Sequence, residues 1–170
     1  MALEIERKWL VEKAVAEAVL NGEREGVDLP VEMSIIRQTY VLRGDHSVLR
    51  LRTQTNLMSK THECFITVKG PSDVPGAVEE HEMAVPIESG ISLMESVNTP
   101  VLTKMRYCIP YGEFMVEVDE FTDPELNGLV VAEVEFPEPD MAFIPPEWFG
   151  TEVTGHKQYA NASLVKKISN

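Results

Sequence analysis

The sequence predicts a mainly β (α+β) domain: an antiparallel sheet of about eight strands, closed or nearly so, with two or three helices outside it. Seven segments alternate apolar and charged residues with the period of two that a strand imposes. The segments follow one another through short turns or brief helical runs, as antiparallel neighbours do. A chain of 170 residues with 44% hydrophobic and 25% charged residues is ordinary for one domain with a real core. It contains neither an internal repeat nor a separating linker, so residues 1–170 are read as a single domain.

In residues 3–11 the alternation places Glu4, Glu6 and Lys8 on one face and Leu3, Ile5, Trp9 and Val11 on the other, with Arg7 the exception. Residues 12–22 are rich in helix formers and end on Asn-Gly, a helix stop. Residues 35–42 read as a strand with Ile36, Gln38 and Tyr40 on one face, and Gly44-Asp45 as the turn after it. Residues 48–53 set Arg50 and Arg52 against Leu49 and Leu51. Residues 64–69 set Thr67 and Lys69 against Ile66 and Val68, and stop at Gly70-Pro71 before a loop that reaches Gly76. Residues 79–85 set Glu80 and Glu82 against His81, Met83 and Val85. Residues 88–98 read as a second helix. The remaining strands are 104–109 (Lys104 and Arg106 against Met105 and Tyr107), 114–121 (Glu117 and Asp119 against Phe114, Val116 and Val118) and 129–136 (Glu133 and Glu135 against four apolar residues). From Trp148 onward the expectation is a loop followed by a helix.

The formal charge of -13 argues against a nucleic-acid partner, because phosphate backbones reward clustered Lys and Arg. No stretch approaches the length of a membrane span, and no leader pattern opens the chain, so no membrane partner and a cytoplasmic location are expected. Cys64 and Cys108 lie in apolar runs without metal-ligand spacing and read as buried reduced thiols.

The charges are sorted by strand. Acidic pairs (Glu4 with Glu6, Glu80 with Glu82, Glu117 with Asp119, Glu133 with Glu135) alternate with basic groups (Lys8, Arg50 with Arg52, Lys69, Lys104 with Arg106). Like charges two residues apart on a strand repel by about 2 kcal/mol at an effective dielectric near 20. A merely solvated face would interleave signs. Eight carboxylates and six cations sorted this way call for bound counter-charge. Paired carboxylates suit Mg²⁺ or Mn²⁺, while Arg and Lys suit phosphoryl oxygens. The matching guest is a polyphosphate with a divalent metal, held by side chains on strands, since no glycine-rich phosphate loop occurs.

Glu4-Ile5-Glu6-Arg7-Lys8 resembles the ExExK motif of the CYTH superfamily, the triphosphate tunnel metalloenzymes. The resemblance continues through Arg37-Gln38-Thr39-Tyr40, Arg50-Leu51-Arg52, Thr67-Val68-Lys69, Glu80-His81-Glu82, Lys104-Met105-Arg106-Tyr107, Glu117-Val118-Asp119, Ala132-Glu133-Val134-Glu135 and the tail of residues 148–154. It implies an eight-stranded antiparallel β-barrel tunnel with a charged interior and with its apolar faces outward under helices. It implies phosphate binding by Lys8, Arg50, Arg52, Lys69, Lys104 and Arg106. Metal binding and water orientation would come from Glu4, Glu6, Glu80, Glu82, Asp119, Glu133 and Glu135. Lys8, Glu6, Lys104 and Tyr40 would be catalytic, Tyr40 with Lys104 protonating the leaving group. Two positions depart from the family pattern: Val78 where Arg is common, and His156 where Asp is common.

The chain looks most like the small bacterial inorganic triphosphatases of that family, which implies Mg²⁺- or Mn²⁺-dependent cleavage of a small-molecule triphosphate to pyrophosphate and phosphate. The alternatives are a class IV-type adenylate cyclase, a thiamine triphosphatase, and a non-catalytic nucleotide or polyphosphate binder; a homodimer is left open. Trp9, Tyr107 and Trp148 read as packing residues, the methionines at 83, 94, 105 and 115 as core, His46, His62 and His81 as scattered solvated or structural residues, and Pro145-Pro146 as a rigid lead-in to the tail.

Overall fold

The structure, a computed structural model, describes residues 2–43, 47–75 and 77–169. The expected turn at Gly44-Asp45, the loop end at Gly76 and His46 lie outside the described residues. The described residues form eight strands: β1 (Ala2–Leu10), β2 (Glu32–Arg43), β3 (Val48–Asn56), β4 (His62–Pro71), β5 (Ala77–Val85), β6 (Leu102–Tyr111), β7 (Phe114–Phe121) and β8 (Val130–Glu135). They close into one barrel in the order β1-β5-β4-β3-β2-β6-β7-β8, every pair antiparallel. The helices are short: α1 (Lys13–Leu20), α2 (Ile87–Ser96) and α3 (Asn161–Leu164). None of them is long and apolar enough to cross a membrane.

The main apolar core lies outside the barrel wall. Ile5 and Trp9 from β1, Ile109 from β6, Val116 and Val118 from β7, and Ala132 and Val134 from β8 pack against Ala16 and Val19 of α1 and against Trp148. Phe143 and Phe149 stack at 5.4 and 4.9 Å from Trp9, extending this core under the tail. A second cluster joins Tyr40, Leu102, Phe121 and Val131 to Leu164 and Val165, with Leu10 and Val48 beside it. These strand residues share the parity of the charged rows, so at one end of the barrel the interior changes from charge to hydrocarbon, and the tail packs onto that end.

On the far side α2 covers β3 and β4 through Gly90, which lies so close to Cys64 that an added Cβ would stand 2.0 Å from its Sγ. The covering is incomplete. Val68 and Met83 on the outer faces of β4 and β5 remain 41% and 60% exposed. Of the methionines expected in the core only Met94 is buried there, while Met83, on the outer face of β5, and Met115, two residues before Glu117 on the charged-row parity of β7, are exposed.

Strand boundaries differ from expectation mainly by extension. β2 begins at Glu32 because its backbone pairs with Cys108 of β6, a long-range partner that local propensity does not report. β4 continues through Gly70 to Pro71, which pairs with Val78 at the strand end, where a proline is tolerated. The expected helix after the tail loop is only α3, between one-turn 3-10 segments at Lys157–Tyr159 and Val165–Lys167.

Candidate active site

Barrel closure turns every sorted row of charge inward. Glu4, Glu6 and Lys8 from β1, Arg50 and Arg52 from β3, Lys69 from β4, and Glu80 and Glu82 from β5 line one cavity of about 800 Å³. Lys104 and Arg106 from β6, Glu133 and Glu135 from β8, and Gln38 and Tyr40 from β2 complete the wall. Of the residues expected at the site, Asp119 alone is absent from the wall. It is fully buried behind Lys104 and Arg106, and both its oxygens are engaged: Oδ1 by Nε of Arg106 at 2.7 Å, Oδ2 by Nη2 of Arg106 at 2.7 Å and by Nζ of Lys104.

Each cation is met by carboxylates. Lys8 Nζ lies 2.9 Å from Glu6 and 2.5 Å from Glu133, while Arg106 Nη2 lies 2.9 Å from Glu133. Burial works against charge on Lys8, yet Glu133 and Glu6 outweigh it and hold its ammonium well above the usual lysine range. Burial likewise opposes charge on Glu133, and Lys8, Lys104 and Arg106 overcome it, holding that carboxyl well below the usual range. Lys104 moves the other way: complete burial and the adjacent Arg106 pull its amine below the ordinary lysine value. Arg50 and Arg52 share Glu82 at 3.2 and 3.1 Å, and Thr67 donates to the same carboxylate at 2.7 Å. Lys69 bridges Glu4 and Glu80.

The Nε–H groups of both Arg50 and Arg52 are buried and have no hydrogen-bond partner. A buried unpaired donor is costly, so two on neighbouring guanidiniums in a cationic row leave places for an anion's oxygens. Among the described residues no three acids converge into a ready metal cage. The donors nevertheless suit Mg²⁺ or Mn²⁺, which take a few carboxylates together with water and substrate oxygens rather than an all-protein cage. Glu4, Glu6, Glu80, Glu82, Glu133 and Glu135 are hard oxygen donors on the cavity wall.

Several wall residues escaped the sequence reading. Glu117 lines the cavity and pairs with Arg106; burial raises its carboxyl above the usual value, although Arg106 opposes this. Its place in an acidic pair was the available signal. Cys108 belongs to the wall rather than to the apolar core, and burial with Glu117 nearby pushes its thiol up to about 12. Both cysteines are free. Glu32 and Gln54 also line the cavity, as does Asn161, whose buried Oδ1 lacks a partner. Val78 lies on the wall opposite Glu4 in register, and Trp9 and Trp148 are packing residues as expected.

The tail is pinned to β1 from outside. Trp9 bridges to Glu152, and Arg7, the charge out of phase, points outward to that carboxylate with Nε and Nη2 both at 2.9 Å.

The CYTH domain family matches residues 2–167 of the chain. The chain is 32% identical over 167 residues to the inorganic triphosphatase of Acetivibrio thermocellus, covering 98% of this chain and 95% of the relative. It is 34% identical over 170 residues to the inorganic triphosphatase of Nitrosomonas europaea, covering 97% and 98%. Among solved structures, that of the inorganic triphosphatase NE1496 superposes with a TM-score of 0.62 at 31% identity, covering 100% of this chain and 99% of that one.

Proposed function

Because the chain belongs to the CYTH domain family, we propose that it is an inorganic triphosphatase that cleaves triphosphate to pyrophosphate and phosphate inside its charged barrel. The observation that carries this reading is the sorted interior of cations and carboxylates with two unpaired guanidinium donors, Arg50 Nε and Arg52 Nε. Arg50 and Arg52 grip phosphoryl oxygens through paired N–H groups, and Lys8, Lys69, Lys104 and Arg106 neutralise the remaining charge. Glu4, Glu6, Glu80, Glu82, Glu133 and Glu135 supply the oxygens for a divalent ion, and Asp119 anchors Lys104 and Arg106 from behind. When bound, Mg²⁺ or Mn²⁺ supplies charge neutralisation and polarisation of the phosphoryl oxygens.

Glu6 orients the attacking water. The water oxygen bonds to the terminal phosphorus as its proton passes to the Glu6 carboxylate, the bridging P–O bond breaks, and pyrophosphate departs. Lys104, with its lowered affinity for a proton, is suited to protonate the departing oxygen, with Tyr40 on the same wall. Tyr40 is the single aromatic residue on the cavity wall among the described residues, which favours inorganic triphosphate over a substrate carrying adenine or thiamine. The free thiols of Cys64 and Cys108 accord with a cytoplasmic setting.

Phosphate release from inorganic triphosphate, ATP and thiamine triphosphate, each with Mg²⁺, Mn²⁺ or chelator, tests the reading. The expected result is metal-dependent turnover greatest on inorganic triphosphate, falling by about a hundredfold or more in Lys8→Ala and Glu6→Ala. Turnover of none of the three overturns it, and cyclic AMP from ATP replaces it with the cyclase.

A further inference from the structure

The pairing of β1 changes along its length. β5 accompanies it only as far as Ile5, opposite Ala77, whereas β8 covers Glu6 to Leu10 on the other edge. The edge that β5 vacates is taken by residues 150–154. Gly150 N–H donates to Leu10 O at 2.8 Å, Leu10 N–H to Thr151 O at 2.9 Å, and Val153 N–H to Lys8 O at 2.8 Å. At the next position the backbone ladder gives way to a side chain: Lys8 N–H donates to Thr154 Oγ1 at 3.0 Å. That hydroxyl donates to Glu152 Oε1 at 2.7 Å, and Glu152 accepts both N–H groups of Arg7. The Arg7 guanidinium in turn lies 4.9 Å over the Trp9 ring. The network thus closes a loop from the side chain of residue 7 to the backbone of residue 8.

We propose that Arg7, Glu152 and Thr154, on the outside of the barrel, are positioning residues that set where the Lys8 ammonium stands inside it. The inference rests on the triphosphatase reading for its kinetic consequence. Strand side chains alternate, so a shift of the Lys8 backbone carries Nζ with it across the wall, away from Glu6 and Glu133. The Arg7–Glu152 pair is one-third exposed on each side, the kind of ion pair that contributes little to global stability. A displaced catalytic group, by contrast, costs turnover steeply. Loosening this network therefore lowers activity far more than it lowers stability, which separates positioning from simple support.

The test uses the full chain at saturating Mg²⁺, comparing Glu152→Gln, Thr154→Val and Thr154→Ser with wild type. Lys13→Ala, which breaks a comparably exposed ion pair joining α1 to β7 at Glu120, serves as control. Glu152→Gln and Thr154→Val are expected to lower kcat by about ten- to a hundredfold with KM within about threefold of wild type and the melting temperature nearly unchanged. Thr154→Ser, which keeps the hydroxyl, restores kcat, and Lys13→Ala behaves as wild type. Wild-type kcat in both Glu152→Gln and Thr154→Val, or a loss that vanishes on cooling well below their melting points, overturns the proposal. A second readout needs no turnover: the side-chain ¹⁵N resonance of Lys8 and the hydrogen exchange of its amide. Both change in Glu152→Gln if the network positions Lys8, and unchanged values overturn it. A wild type that does not cleave triphosphate removes the functional reading alone, and the resonance measurement still decides this one.

Discussion

Burial pushes the carboxyl of Glu4 up to about 7 from its ordinary 4.5, against the pull of Lys69, and the neighbouring Glu6 adds to the rise. An acid raised on folding holds its proton more tightly in the native state than in the unfolded chain. Its contribution to stability is therefore full below the unfolded value and disappears as pH rises through about 7. In metal-free protein, Glu4→Gln is expected to flatten the decline in stability between about pH 5 and about pH 8, by roughly 2 kcal/mol after allowance for solvent screening. Thermal denaturation across that range measures it, and parallel curves for wild type and variant refute it. Added Mg²⁺ is expected to stabilise the wild type more at the alkaline end, since there no proton competes for the carboxylate.

At the scale of elements, α2 is held to the barrel by a close approach that the sequence marked only with a glycine. Alanine at a helical glycine ordinarily helps by about 0.5–1 kcal/mol. At Gly90 the added carbon would meet Cys64 Sγ at 2.0 Å and its Cβ at 2.8 Å, so the helix has to move. Gly90→Ala is expected to destabilise by about 1–3 kcal/mol, and Cys64→Ala in the same chain to recover most of the loss. Denaturant unfolding of the two single variants and the double variant gives the coupling. The strands themselves were largely legible, because alternation is a local signal; β7 has the predicted limits, 114–121. The tail was not. Its pairing with Lys8 and Leu10 is long-range, and only two features hinted at it: the out-of-phase charge at Arg7, and Gly150, where a Cβ would lie 2.6 Å from Leu10 O.

Across the whole molecule the barrel is inside out, with hydrocarbon on the outer wall and charge in the middle. Parity alone divides each strand into two faces and cannot say which is interior; family resemblance supplied that, and the placement of Ile5, Val116 and Val134 under α1 and the tail bears it out. Resemblance did not supply Glu117, Glu32 or Cys108 as wall residues: Glu32 lies beyond the expected start of β2, whereas Glu117 and Cys108 sit inside expected strands on the parity of the charged rows and were legible from alternation alone. Among the described residues, and counting Asp119 behind the wall, the interior holds nine carboxylates against six cations, an excess of negative charge where an anion is to bind. Triphosphate is therefore expected to bind at least about a hundredfold more weakly in chelator than in Mg²⁺, as titration calorimetry with Glu6→Gln, slowed in turnover, would record. Equal affinity in both conditions would refute a metal requirement for binding.

The alternation that builds the cavity also constrains how the gene can drift. Deleting a single codon within β7 would swing Glu117 and Asp119 into the aromatic layer and Val116 and Val118 into the cavity, inverting every side chain beyond the lesion. Removing two adjacent codons keeps the faces and only shortens the strand. Length variation among descendants of this chain should therefore collect in the loops, and where it enters a barrel strand it should come in pairs of residues.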